Sequence, residues 1–235
     1  MLRAVKIELV VIERYLLLII GLSLLVAGAL TVELGSVATV PVVTMAMVGM
    51  SGGLTAGAYD EQGGWGAFRL TAALTRRDVV VARFASITLT ALIGMMAGML
   101  VVGGLWVVSQ VVELPTVVVS VLHLGAGGWA GLTLSMGLCL VIVAAITGIA
   151  VPIMFKRGSM AAQLAPVYFF LTVLGVGGIL SFLGVDVGAA LTTLKAWTEV
   201  PGNYALLFAG MIATALAIWA VGIAVSIGLY AHRDL

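Results

Sequence analysis

The chain has 235 residues, of which 63% are hydrophobic and only 9% charged, and its net charge is +1. A mean hydropathy of +1.26 is more apolar than the core of a soluble domain can absorb, so the expected solvent is a bilayer. The near-neutral charge gives no footing for a nucleic-acid partner or a generally acidic substrate, and the single cysteine, Cys139, excludes an internal disulfide and a thiolate metal cluster.

The first fourteen residues are amphipathic. On a 100° wheel Arg3, Lys6, Glu13 and Arg14 share one face, and Leu2, Val5, Leu9 and Ile12 gather on another, with Glu8 and Val10 breaking the pattern. This predicts an interfacial helix over 1–14 that feeds the first span. That span, 15–33, is too long, too early charged and too poor in a small-residue cleavage site for a removable signal peptide.

Runs of about 20 apolar residues then place further spans at 38–58, 84–109, 127–151, 164–185 and 204–229, six in all, with a longer outer segment at 186–203. The prolines agree with these edges: Pro41, Pro152 and Pro166 fall near helix ends, and Pro115 and Pro201 fall in connections, where a missing N–H costs least. On the second span Gly49, Gly53 and Gly57 recur every four residues, a small-residue stripe that predicts close contact with another helix, within the chain or across a homodimer.

Six spans put both termini on one side. With that side cytoplasmic, it holds Arg3, Lys6, Arg14, Arg69, Arg76, Arg77, Arg83, Lys156, Arg157 and Arg233, against Lys195 alone outside. Retention of positive charge in cytoplasmic loops favours this orientation. The fold class expected is therefore an all-α integral membrane protein with six transmembrane helices, an N-terminal interfacial helix and cytoplasmic termini.

Several chemistries are disfavoured. No charged residue lies near the middle of a span, as proton-coupled carriers and voltage sensors require; Glu33, Glu113, Asp186 and Glu199 lie at or beyond span ends. Gly49-Met50-Ser51-Gly52 has the pattern of an intramembrane serine protease, but His123 falls in an outer loop and His232 at the C-terminus, so Ser51 has no base within a span. Met45, Met47 and Met50, with Met95, Met96 and Met99, could offer thioethers to copper; adaptable apolar packing explains them as well. The pattern G-x-x-x-x-G-K-[ST] does not occur, so an ATP-hydrolysing site is expected only in a separate subunit.

The charged stretch 59–83 remains. Thr75-Arg76-Arg77-Asp78 reads as a capping box with Asp in place of Glu, which starts a helix that runs into the membrane. Upstream, Asp60 and Glu61 follow the second span, Gly63-Gly64 permits a turn, and Trp65, Phe68 and Leu70 surround Arg69 in a short amphipathic segment. Two arginines in a helix's first turn oppose its dipole, and an acidic partner would give them a use.

At these residues the sequence resembles the permease subunits of ABC-2 type exporters. In that family the loop after the second span carries an acidic pair, an aromatic, a Leu-Pro-Val/Ile-Ser/Thr-Arg turn and a basic residue entering the third span. The corresponding residues are Asp60, Glu61, Trp65, then Ala73-Leu74-Thr75-Arg76-Arg77-Asp78 and Arg83-Phe84, without the proline. The resemblance implies a coupling loop made of Asp60, Glu61, Trp65, Phe68, Arg69, Thr75, Arg76, Arg77, Asp78 and Arg83. It also implies a second copy of the permease around a central path, and two ABC ATPase subunits that hold ATP and Mg. The chain itself would bind no cofactor and catalyse nothing. Implied too are a bacterial plasma membrane and export of a hydrophobic or amphiphilic peptide, lipid or drug. A membrane scaffold without transport shares the topology, while a small secondary carrier would show inverted repeats and broken polar helices, which the sequence lacks.

Overall fold

The computed structural model describes residues 2–61, 75–112, 122, 126–184, 186–198 and 200–231. Those residues form helices and no strand: α1 (Leu2–Leu34), α2 (Thr39–Glu61), α3 (Arg76–Val111), α4 (Ala126–Arg157), α5 (Ser159–Ala162), α6 (Ala165–Phe182), α7 (Val187–Thr198) and α8 (Pro201–Ala231). Six stretches are long and apolar enough to cross a bilayer: Ile12–Leu34, Thr39–Tyr59, Arg76–Val111, Gly131–Arg157, Ser159–Phe182 and Gly202–Ala231. Each overlaps one span expected from the sequence.

Three expected segments differ in detail. Residues 1–14 form no separate helix among the described residues, because Leu2–Leu34 is one continuous rod, about 50 Å long at 1.5 Å per residue. The stretch 59–83 is narrower as a connection, since α2 runs through Glu61 and α3 starts at Arg76; 62–74 lie outside the described residues. The segment 186–203 contains α7, whose start is capped by Asp186, with the Ala189 N–H donating to Oδ1 at 3.0 Å. Pro152 marks no helix end, for α4 continues five residues past it; interior prolines are tolerated where neighbouring helices and polar side chains satisfy the freed backbone.

Gly158 divides the fourth span from the fifth. Its φ of +93° ends α4 and its N–H still donates to Met154 O at 2.9 Å, a conformation in which a Cβ would be strained. Pro166, at the second position of α6, loses no helical hydrogen bond there.

α2 is the most enclosed span and α6 the least. A core of Val80, Phe84, Ile87, Val151, Phe155, Trp219 and Tyr230 joins α3, α4 and α8; Met45, Ala91, Cys139 and Val143 join α2, α3 and α4; and Ala27, Val40 and Val102 join α1, α2 and α3. Met45 is thus a core residue, whereas Met96 is exposed. The Trp219 indole donates to Thr147 Oγ1 at 3.0 Å, a buried polar tie between α8 and α4.

The glycine stripe of α2 faces α3 of the same chain. A Cβ on Gly49 would stand 2.7 Å from Ala91 Cβ, one on Gly53 would stand 2.8 Å from Ile87 Cδ1, and one on Gly57 would run into Met154 of α4 and lie 3.4 Å from Arg83 Nη1. α3 answers with Gly94 and Gly98, where an added Cβ would come within 2.5 Å of Thr44 O and Pro41 Cα respectively. Two glycine faces let the backbones of α2 and α3 touch, which is how helices associate where lipid supplies no hydrophobic drive.

Candidate coupling site

The end of the bundle that carries both termini is also the end where 62–74 joins α2 to α3. Trp65, Phe68 and Arg69 lie outside the described residues, and Asp60 and Glu61 close the last turn of α2. Beyond the gap the geometry is explicit. Thr75 is extended at φ −77°, ψ 155° and caps α3: its Oγ1 accepts from the Asp78 N–H at 3.1 Å, and its own N–H donates to Asp78 Oδ2 at 3.3 Å. Both halves of the capping box read from the sequence are in place.

Arg76 and Arg77 part company. Arg77 is exposed. Arg76 turns inward, and its Nη1 donates to the carbonyls of Tyr230 and Ala231 at 2.9 and 2.6 Å while the guanidinium lies 5.7 Å from the Tyr230 ring centroid. Those carbonyls are the open acceptors at the end of α8, where the helix dipole is negative. The charge that disfavours the start of α3 is therefore used at the end of α8, and Arg76 has a use inside the chain.

Arg83 is fully buried, two turns into α3. Its Nε stands 3.0 Å from Glu8 Oε2 and its Nη2 donates to Glu8 Oε1 at 3.1 Å, a two-pronged pairing in which Glu8 is 1% exposed; Nη1 reaches Met154 Sδ at 3.3 Å. A guanidinium fork suits a carboxylate in this way. The pair also corrects the reading of the N-terminal wheel: the buried stripe is Ala4, Glu8 and Ile12, while Val5 and Leu9 are half-buried and Arg3, Lys6, Glu13 and Arg14 are exposed as expected. Glu8, which seemed to break the pattern, sits at the centre of the buried face. Nearby, the hydroxyls of Tyr15 and Tyr59 approach to 3.1 Å and link α1 to the end of α2.

The first eight residues of α3 thus hold the end of α8 through Arg76 and the start of α1 through Arg83, with α4 touching through Met154. Lys156 and Arg157, exposed in the last turn of α4, suit the negative end of that helix. Sequence reasoning missed Glu8 as a partner. The available signal was that an acid in an apolar stripe and an Arg at the edge of a span each need an opposite charge once buried. Among the described residues no cluster of His, Cys, Asp or Glu could hold a metal ion.

Six helices long and apolar enough to cross a bilayer define a multi-pass membrane protein. The chain belongs to the ABC-2 family of transporter proteins, whose model (ABC-2 family transporter protein) matches residues 5–231. No curated protein and no solved structure matches the chain. The family makes it the membrane subunit of an ABC transporter, working with an ABC ATPase subunit.

Proposed function

We propose that the chain is half of an ATP-driven exporter in the bacterial plasma membrane: two copies enclose a path for a hydrophobic or amphiphilic peptide, lipid or drug, and two ATPase subunits dock beneath them. The observation that carries this reading is the convergence on the start of α3. A displacement of the connection 62–75 pulls directly on Arg76 and Arg83, and so on α8, α1 and α4 together. Trp65, Phe68, Arg69 and Arg77 supply the outward contact, with Asp60 and Glu61 at its other edge. ATP and Mg act in the partner, and the permease contributes the lever that turns closure of two ATPase subunits into helix movement.

Changing Trp65→Ala with Arg77→Gln tests the docking half of this reading. The variant is expected to insert normally but to recover roughly thirtyfold less ATPase in pull-downs, since one aromatic anchor at an interface is worth about 2 kcal/mol. Lys156→Gln with Arg157→Gln is the control and should lose far less. Unchanged ATPase recovery in the first variant would remove the connection from the coupling path.

The orientation has its own test. Cys139 is buried, so a membrane-impermeant thiol reagent should ignore the parent. It should label Thr193→Cys on intact cells, and Lys156→Cys only after the cells are opened. The reverse pattern would put the basic end outside and dissolve the docking argument.

A further inference from the structure

Between α3 and α8, beside the start of α1, runs an open groove of about 570 Å³ lined by Val81, Ala85 and Leu92 of α3, Trp219 and Ile223 of α8, and Val5 of α1. Its lining is almost wholly apolar. From Val81 to Leu92 it extends about 16 Å along α3 at 1.5 Å per residue, close to one leaflet of a hydrocarbon core roughly 30 Å thick.

Two exposed cations belong to its basic end. Arg77 stands one turn before Val81 on the same helix face, Lys6 follows Val5 directly, and both are exposed. The Glu8–Arg83 pair sets the level of α1 against α3, so these two cations belong to the end of the bundle at which the groove begins. The acids closest to them in sequence are engaged: Glu8 pairs with Arg83 and Asp78 accepts from Thr75. The groove thus offers a chain-length apolar channel beneath an end of the bundle that carries exposed cations.

We propose that this groove binds an anionic phospholipid from the leaflet at the basic end, with one acyl chain lying between α3 and α8 and the phosphate headgroup paired with Arg77 and Lys6. The site would be resident rather than bulk because the chain packs against two helices and a third, while the cations select charge. This inference goes beyond the exporter reading; it shares Arg77 with the docking contact proposed there, and a lipid titration that contains no ATPase reads the two apart.

The test uses the full-length chain in an uncharged detergent, titrated with dioleoyl phosphatidylglycerol or dioleoyl phosphatidylcholine and read by native mass spectrometry. The parent is expected to retain one phosphatidylglycerol with roughly tenfold preference over phosphatidylcholine, given the usual strength of basic side chains near anionic lipid. Arg77→Gln with Lys6→Gln should bring the two lipids near parity. Ala220→Trp, which adds bulk in the groove at an exposed position, should lower retention of both. Glycerol phosphate, which has the headgroup anion and no chain, should not compete. As a check independent of these variants, phosphatidylglycerol brominated on its chain should quench parent fluorescence more than that of Trp219→Phe. Equal retention of the two lipids by the parent, undiminished retention by Ala220→Trp, or displacement by glycerol phosphate would each overturn the proposal.

Discussion

Replacing Arg83 by alanine should destabilise the folded chain by about 3–5 kcal/mol, the usual consequence of leaving one member of a buried ion pair alone, and should lower its melting temperature in detergent by on the order of 10 °C. The residue left behind would be Glu8, 1% exposed and deprived of both prongs of the guanidinium. Glu8→Leu alone should cost a similar amount for the mirror-image reason. The double variant Glu8→Leu with Arg83→Met should recover most of the loss, since a buried pair exchanged for apolar groups of similar volume is often neutral. A double-mutant cycle read by thermal melting measures this. If the double variant folds as well as the parent but no longer couples ATP hydrolysis to transport, the pair serves as a lever and not merely as a brace. Additive single losses would show that the two charges do not sense each other.

The second large effect is steric. An added Cβ at Gly98 would stand 2.5 Å from Pro41 Cα, and at Gly94 2.5 Å from Thr44 O, whereas at Gly53 the obstacle is the end of the Ile87 side chain at 2.8 Å. Side chains yield by changing rotamer and backbone does not, so α2 and α3 would have to separate. Gly98→Ala and Gly94→Ala are therefore expected to cost about 3 kcal/mol, the upper end of ordinary overpacking, and to reduce the folded fraction on gel filtration. Gly53→Ala should cost about 1 kcal/mol. Gly104→Ala, where nothing lies within 4 Å of the new methyl, should be neutral or should gain a few tenths of a kcal/mol from helix propensity. An equal response at Gly98 and Gly104 would mean that the two helices are not in backbone contact.

The contrast between Gly53 and Gly98 shows how far a sequence can be read here. The period of four at Gly49, Gly53 and Gly57 announced a contact face on α2, because helical geometry repeats on that spacing; which helix it meets depends on packing, and no local pattern encodes that. Span positions were legible because a bilayer demands a run of apolar residues of fixed length. The start of α3 was legible because a capping box is local, with Thr75 and Asp78 three residues apart. The Glu8–Arg83 pair was not, since its members lie 75 residues apart and the wheel treated Glu8 as noise. Arg76 was misjudged for a related reason: its first-turn position disfavours positive charge, and the end of α8 that compensates it is 154 residues away. α7 carried a local signal in Asp186, three residues ahead of the N–H it caps, which the expectation of a plain outer segment overlooked.

The central claim is that the connection after the second span meets an ATPase and passes its motion into the bundle. The most direct measurement places a photo-crosslinking amino acid at Trp65 and, separately, at Thr193. The chain is then irradiated in membranes of its own host and the attached protein identified by mass spectrometry. The account predicts that the probe at 65 captures an ATP-hydrolysing ABC subunit and that the probe at 193, at the opposite end of the bundle, does not. Capture of the ATPase from 193, or of lipid alone from 65 in membranes that contain the assembled transporter, would contradict it.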